Sequence, residues 1–200
     1  DRPKQIFFGL GTVLIDEAIN PVVYADWFVG TDMGAKINAA AAAITTGAQV
    51  GPGTIKFNSG TNLYSTPIDL TGAAGLRLCT ETGSLNTVSN LGPSLTWTGG
   101  AGTGPALKAP DCRGFEMDHF DFYYNNAAFN GKLLAFEQTG VLGDPTGIHI
   151  HHGRIGGSTG VTSASHLIAL GQCALFTIDN CTLDYAAIGI GPTAGSNNVI

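Results

Sequence analysis

Apolar residues in the second half of the chain follow a repeating frame. FEMDHFDF (115 to 122), IHIHHGRI (148 to 155) and FTIDNCTL (176 to 183) each carry them at the first, third and eighth positions, and the copies start 33 and then 28 residues apart. Apolar residues two apart lie on one side of a strand, so the first and third positions of each copy point inward and the second and fourth point outward. Shorter apolar strips lie between the copies: PALKA at 105 to 109, LLAF at 133 to 136, LIAL at 167 to 170 and AIGI at 187 to 190. Each repeat therefore holds at least two strand-length segments joined by turns rich in Gly, Asn and Thr, with little helical periodicity.

This pattern predicts a solenoid in which successive turns stack about 4.8 Å apart, strands pair in parallel and apolar side chains fill the interior. Such a stack has exposed ends that need covering. Residues 32 to 46, DMGAKINAAAAAITT, predict the one helix, with Asp32 as N-cap and Gly47 as stop, and this helix is expected to cap the coil. TIKF at 54 to 57, LYSTPIDL at 63 to 70 and LRLC at 76 to 79 read as the first turns. The chain accordingly divides into an N-terminal strand and assembly segment (1–31), a capping helix with its connection (32–53), and solenoid turns (54–200) expected to continue past Ile200.

Composition narrows the function. Only 12% of the 200 residues are charged, 29 are glycine, and the net charge is -6. That balance argues against a partner held through clustered Lys and Arg, so neither nucleic acid nor an anionic membrane surface is expected. No apolar run reaches the roughly 18 residues of a membrane-spanning helix. The opening DRPKQIFFGLG lacks the layout of a signal peptide, and the start on Asp1 reads as a processed product or a fragment. Four cysteines permit disulfides in an oxidising compartment, although a Cys within a strand-like apolar run more often acts as a small buried hydrophobe. Cys112 and Cys173 share a frame position two turns apart, about 9.6 Å, too far to bridge.

The run DWFVGTDMGAKINAAAAAI followed by GPGTIKFNSGTNLYSTPIDL resembles the start of pectate-lyase-like right-handed parallel β-helices, with Tyr64 one residue late relative to that pattern. FTIDNCTL is similar to the strand-and-turn unit of the same superfamily. The resemblance covers roughly residues 24 to 190. It implies an all-β, right-handed parallel β-helix with an N-terminal capping α-helix. It also implies an extracellular protein, secreted or virion-associated, that binds and degrades a polysaccharide or cell-surface glycan as a hydrolase or lyase. The alternative in the same superfamily is a non-catalytic stalk or adhesin. No cofactor is implied. The residue set of the pectin hydrolases is missing, so their roles are not carried over.

In register, the outward positions form two columns, Glu116, His149, Thr177 and Asp118, His151, Asp179. By the family pattern the fifth position, His119, His152, Asn180, lies at a turn and faces inward, which would separate His152 from the other histidines of GIHIHHGRIGG. Asp118, His151 and Asp179 are the candidate catalytic residues, because stacked carboxylates and imidazoles can share and relay a proton. Asp118 and Asp179, about 9.6 Å apart at the backbone, would suit an inverting glycosidase. Glu116, His149, Tyr123, Tyr124 and Arg154 are the candidate substrate-binding residues, with Trp97 and Tyr185 as further aromatic surfaces for sugar rings. Asp121 and Arg154 are expected to form an exposed ion pair worth under about 1 kcal/mol. A metal is the alternative: His149 and His151 with Asp118 or Asp179 offer three ligands. No Cys or further His completes that set in the frame, so no metal is assigned. Finally, the apolar strip KQIFFGLGTVLI at 4 to 15 predicts a homotrimer.

Overall fold

The computed structural model describes residues 20–47, 49–80, 93–139, 143–158 and 161–192. From Asn20 the chain runs through β1 (Val22–Tyr24), a short 3-10 turn and helix α1 (Met33–Ala43), then a small antiparallel pair, β2 (Thr45–Thr46) and β3 (Gln49–Val50). Five turns of a three-sided coil follow. They comprise β4 (Gly53–Phe57), β5 (Thr61–Tyr64) and β6 (Ile68–Asp69); β7 (Leu76–Thr80), β8 (Ser94–Trp97) and β9 (Leu107–Lys108); and β10 (Glu116–Asp118), β11 (Asp121–Tyr124) and β12 (Lys132–Phe136). In the last two turns the first two sides merge into one bent strand: β13 (Thr146–Gly157) with β14 (His166–Leu170), and β15 (Ala174–Asp184) with β16 (Ile190–Pro192).

Every pairing between turns is parallel. The first face stacks β1, β4, β7, β10 and the leading halves of β13 and β15. The second stacks β5, β8, β11 and the trailing halves of the same two strands, and the third stacks β6, β9, β12, β14 and β16. The chain is thus a parallel β-helix, and β1 adds a rung to the first face ahead of the helix.

The frame read from the sequence is the register observed. Glu116, Met117 and Asp118 pair with His149, Ile150 and His151, which pair in turn with Thr177, Ile178 and Asp179. Phe115, Met117, Ile148, Ile150 and Phe176 are buried, and Ile178 packs partly buried against them in the last turn. Aromatic rings stack across the interior, with Phe115 to Phe136 at 5.8 Å and Phe136 to Phe176 at 6.3 Å. Cys112 and Cys173 are buried thiols with no disulfide; burial pushes them up to about 12 and about 11 respectively.

Helix α1 begins as its sequence predicts. Asp32 Oδ1 accepts a hydrogen bond from the Ala35 N–H at 2.9 Å, while Oδ2 accepts from the N–H groups of Ser65 and Thr66 at 2.8 and 2.9 Å. One carboxylate therefore caps the helix and ties it to the corner between β5 and β6. That corner breaks LYSTPIDL into two short strands rather than one, with Pro67 unable to donate to a ladder. Met33, Ile37, Ala40 and Ala41 are buried beneath the helix, consistent with its capping the first turn. It ends at Ala43, ahead of Gly47, because the chain turns into the β2–β3 pair. The strip at 4 to 15 lies outside the described residues.

Candidate functional site

The corner between the first two faces determines where the histidines go. His119, His152 and Asn180 occupy it in successive turns with φ of 58°, 53° and 47°. This left-handed conformation suits His and Asn better than most residues. It also turns their side chains toward the outer surface. The inward-facing position expected for His152 and Asn180 is not what forms: Asn180 is exposed, and the His152 ring stacks on the His119 ring at 4.5 Å beside Asp118. The histidines of GIHIHHGRIGG therefore form one cluster.

Asp118 lies at the centre. It is in the outward column, as expected, yet only 1% exposed, because Arg77, His119, His151 and His152 close over it. Its Oδ2 accepts from the Arg77 guanidinium, and Arg77 Nε also lies 3.5 Å from Glu116. Burial acts to raise the Asp118 pKa, but the Arg77 hydrogen bond and the neighbouring His151, His119 and Arg77 outweigh it and hold the carboxyl below its usual value. A carboxylate so covered is poorly placed to exchange a proton with substrate. Glu116 Oε1 accepts from His151 Nε2 at 2.8 Å, and His149 Nε2 lies 3.2 Å from Asp179 Oδ2. The His149 and His151 rings stack at 4.2 Å. A shallow groove of about 400 Å³, bounded in part by Lys56, Arg77 and Asp118, opens beside this cluster.

The second face is built differently. Its outward columns are Thr61, Ser94, Asp121, Arg154, Thr182 and Leu63, Thr96, Tyr123, Gly156, Asp184. Small side chains in the early turns leave a groove of about 420 Å³ lined by Thr61, Leu63, Ser94, Thr96, Tyr123, Asn125, Arg154, Gly157 and Ser158. Asp121 continues the column between Ser94 and Arg154. It accepts from the Arg154 backbone N–H at 3.1 Å and from the Tyr123 hydroxyl at 3.3 Å. Burial pushes its carboxyl above the usual value, against the pull of those two hydrogen bonds and the Arg154 charge, with Asp184 adding to the rise. The Arg154 guanidinium turns to Asp184, with Nε to Oδ2 at 2.8 Å, rather than forming the simple exposed pair with Asp121 expected from the frame. It also lies over the Tyr123 ring, 5.5 Å from its centroid. Gly156 is what lets Asp184 cross the strand, since a Cβ there would lie 2.1 Å from Asp184 Oδ1.

The predicted site residues therefore separate into two sets. Glu116, Asp118, His149, His151 and Asp179 meet on the first face. Tyr123 and Arg154 meet on the second. Tyr124 joins neither: it is buried, and its hydroxyl donates to the carbonyls of Val161 and Tyr185, so it cannot stack on a sugar. Trp97 is buried as well. The sequence frame missed Arg77, which lies in a turn before the first repeat copy, and Asp184, which falls one residue past the eight-residue window. Asp121 was read only as an ion-pair partner.

No protein family, curated protein or solved structure matches this chain. Among the described residues no helix is long and apolar enough to cross a membrane.

Proposed function

We propose that the chain is a glycan-binding β-helix that cleaves glycosidic bonds in the groove on its second face. The observation that carries this reading is the groove itself, a wall of hydroxyl and amide side chains with Arg154 in its lining and the Asp121 and Asp184 carboxylates bonded to Arg154 beside it. Thr61, Ser94, Thr96, Asn125 and Ser158 offer neutral donors and acceptors to sugar hydroxyls, and Leu63 supplies an apolar rim. Asp121, with its raised pKa, is suited to hold a proton for a leaving-group oxygen, while Asp184, 24% exposed and paired through Oδ2 with Arg154, is the carboxylate nearest to it that could take the part of base. The two belong to turns two apart, about 9.6 Å at the backbone, and Asp184 reaches back across Gly156 toward the same Arg154 that Asp121 bonds. Asp118, Asp179 and His151, the pair and relay expected from the sequence, lie one corner away. Covered as it is, Asp118 is the weaker candidate for acid or base.

The same reading carries an extracellular setting, and the apolar strip at 4 to 15 supports a homotrimer, which light scattering would test. The activity is tested by incubating the chain with a panel of soluble neutral and acidic polysaccharides and measuring reducing ends. Release from at least one polymer is expected. A chain that neither binds nor cleaves any of them is a passive stalk.

A further inference from the structure

Three electron-rich atoms converge at the centre of the first face. Asp118 Oδ1 is buried and makes no hydrogen bond, although His119 Nδ1 lies against it and its other oxygen is held by Arg77. His151 Nδ1 lies 3.1 Å from that oxygen and His152 Nδ1 lies 3.4 Å from it, and the two nitrogens are 2.7 Å apart. The other nitrogen of His151, Nε2, faces Glu116 Oε1 at 2.8 Å. A carboxylate only accepts, so Nε2 carries the hydrogen, and in the neutral form of the ring, the form that ligates a metal, Nδ1 presents a bare lone pair to Asp118. A buried acceptor facing another acceptor is unfavourable unless something electropositive lies between them.

We propose that Asp118 Oδ1, His151 Nδ1 and His152 Nδ1 bind a divalent first-row transition-metal ion of the zinc type. The triangle has the right size. With edges of 2.7, 3.1 and 3.4 Å, its circumscribed circle has a radius of about 1.8 Å, so an ion bonded at about 2.0 to 2.1 Å to each atom sits about 1 Å above the plane. The ligand-to-ligand edges bracket the spacing that such bonds give in octahedral and tetrahedral shells, about 2.9 to 3.3 Å. Two imidazoles with one carboxylate favour zinc, cobalt, nickel or iron over calcium and magnesium, which take oxygen. Glu116 supplies the outer carboxylate that fixes a ligating imidazole and raises its basicity, and the stacked His119 ring holds His152 in place. The His152 side chain is 33% exposed, so the open side of the ion reaches solvent.

A second group, His149, His151 and Asp179, also brings ligand atoms within 4.8 Å of one another. There, however, His149 and Asp179 already partner each other and are both open to water, so no orphaned atom calls for an ion.

The test uses the whole chain, stripped with chelator and titrated with cobalt(II) or zinc(II) alone, followed by calorimetry and by the visible ligand-field absorption of cobalt. One ion per chain is expected. His152→Ala and Asp118→Asn should each weaken binding at least about a hundredfold, and Glu116→Gln about tenfold, the scale of outer-shell partners. Asp179→Asn should leave it unchanged. Asp118 is buried, so its variant is read only where circular dichroism shows a native fold, and His152→Ala decides the matter independently. No binding by the wild-type chain at metal concentrations well above that of the protein overturns the proposal. So does binding that survives His152→Ala and is lost in Asp179→Asn.

Discussion

The first and second faces of the coil share two strands, β13 and β15, and yet present opposite surfaces. On the first face, long titratable side chains in neighbouring columns reach across turns, pair with one another and bury Asp118. On the second face, Thr61, Ser94, Thr96 and Gly156 are too small to reach, and a groove remains with Tyr123 and Arg154 in its lining and Asp121 bonded to both beside it. The difference teaches that an outward position in a β-helix is not by itself an exposed one. Side-chain length in the adjacent columns decides whether an outward carboxylate is closed over or left partly open.

The largest expected effect comes from the floor beneath the first face. Phe115→Ala removes a fully buried ring that packs on Phe136 and should cost about 3 to 5 kcal/mol in denaturant unfolding. Leu63→Ala, on the rim of the second-face groove at 56% exposure, should change stability by no more than about 0.5 kcal/mol. Equal costs at the two positions would break the distinction between closed and open faces. Next comes the cap: Asp32→Ala should cost about 1 to 2 kcal/mol, since it removes the acceptor for Ala35, Ser65 and Thr66.

Two carboxylates sharpen the contrast through pH. Burial acts to raise Asp32, but the N–H groups of Ser65, Ala35 and Thr66 outweigh it and lower its pKa. Its contribution is therefore present above the unfolded carboxyl value and is lost as pH falls through the lower folded value. Asp121 runs the other way. Its folded pKa is raised, so the folded chain holds that proton more tightly, and stability falls as pH climbs from the unfolded value through the folded one. Melting curves across acid pH should show Asp121→Asn removing a downward slope and Asp32→Asn removing an upward one. A modest effect belongs to Tyr123→Phe, which deletes one hydrogen bond to Asp121 and should cost about 0.5 to 1.5 kcal/mol in denaturant unfolding.

The repeat frame was legible because a parallel β-helix forces equivalent positions onto one another, so apolar spacing alone placed Met117 on Ile150 on Ile178. The helix cap was legible from Asp32 and the alanine run. The outward direction of His152 was not, because it depends on a left-handed backbone at the corner, which the residue type permits but does not announce. Nor was the burial of Asp118, since part of its cover comes from Arg77, in a turn outside the recognisable repeat, and the rest from corner histidines expected to face inward. The groove was hidden for another reason: it is made by small residues, and patterns of apolar and charged positions do not register what is missing.

The most direct measurement of where the chemistry lies is reducing-end release from a cleaved polysaccharide by wild type, Asp121→Asn and Asp179→Asn under identical conditions. A second-face site predicts that Asp121→Asn loses at least about a hundredfold in rate, the scale of a lost general acid, while Asp179→Asn retains wild-type turnover. An unimpaired Asp121→Asn chain together with an inactive Asp179→Asn chain would place the chemistry on the histidine face and contradict the account.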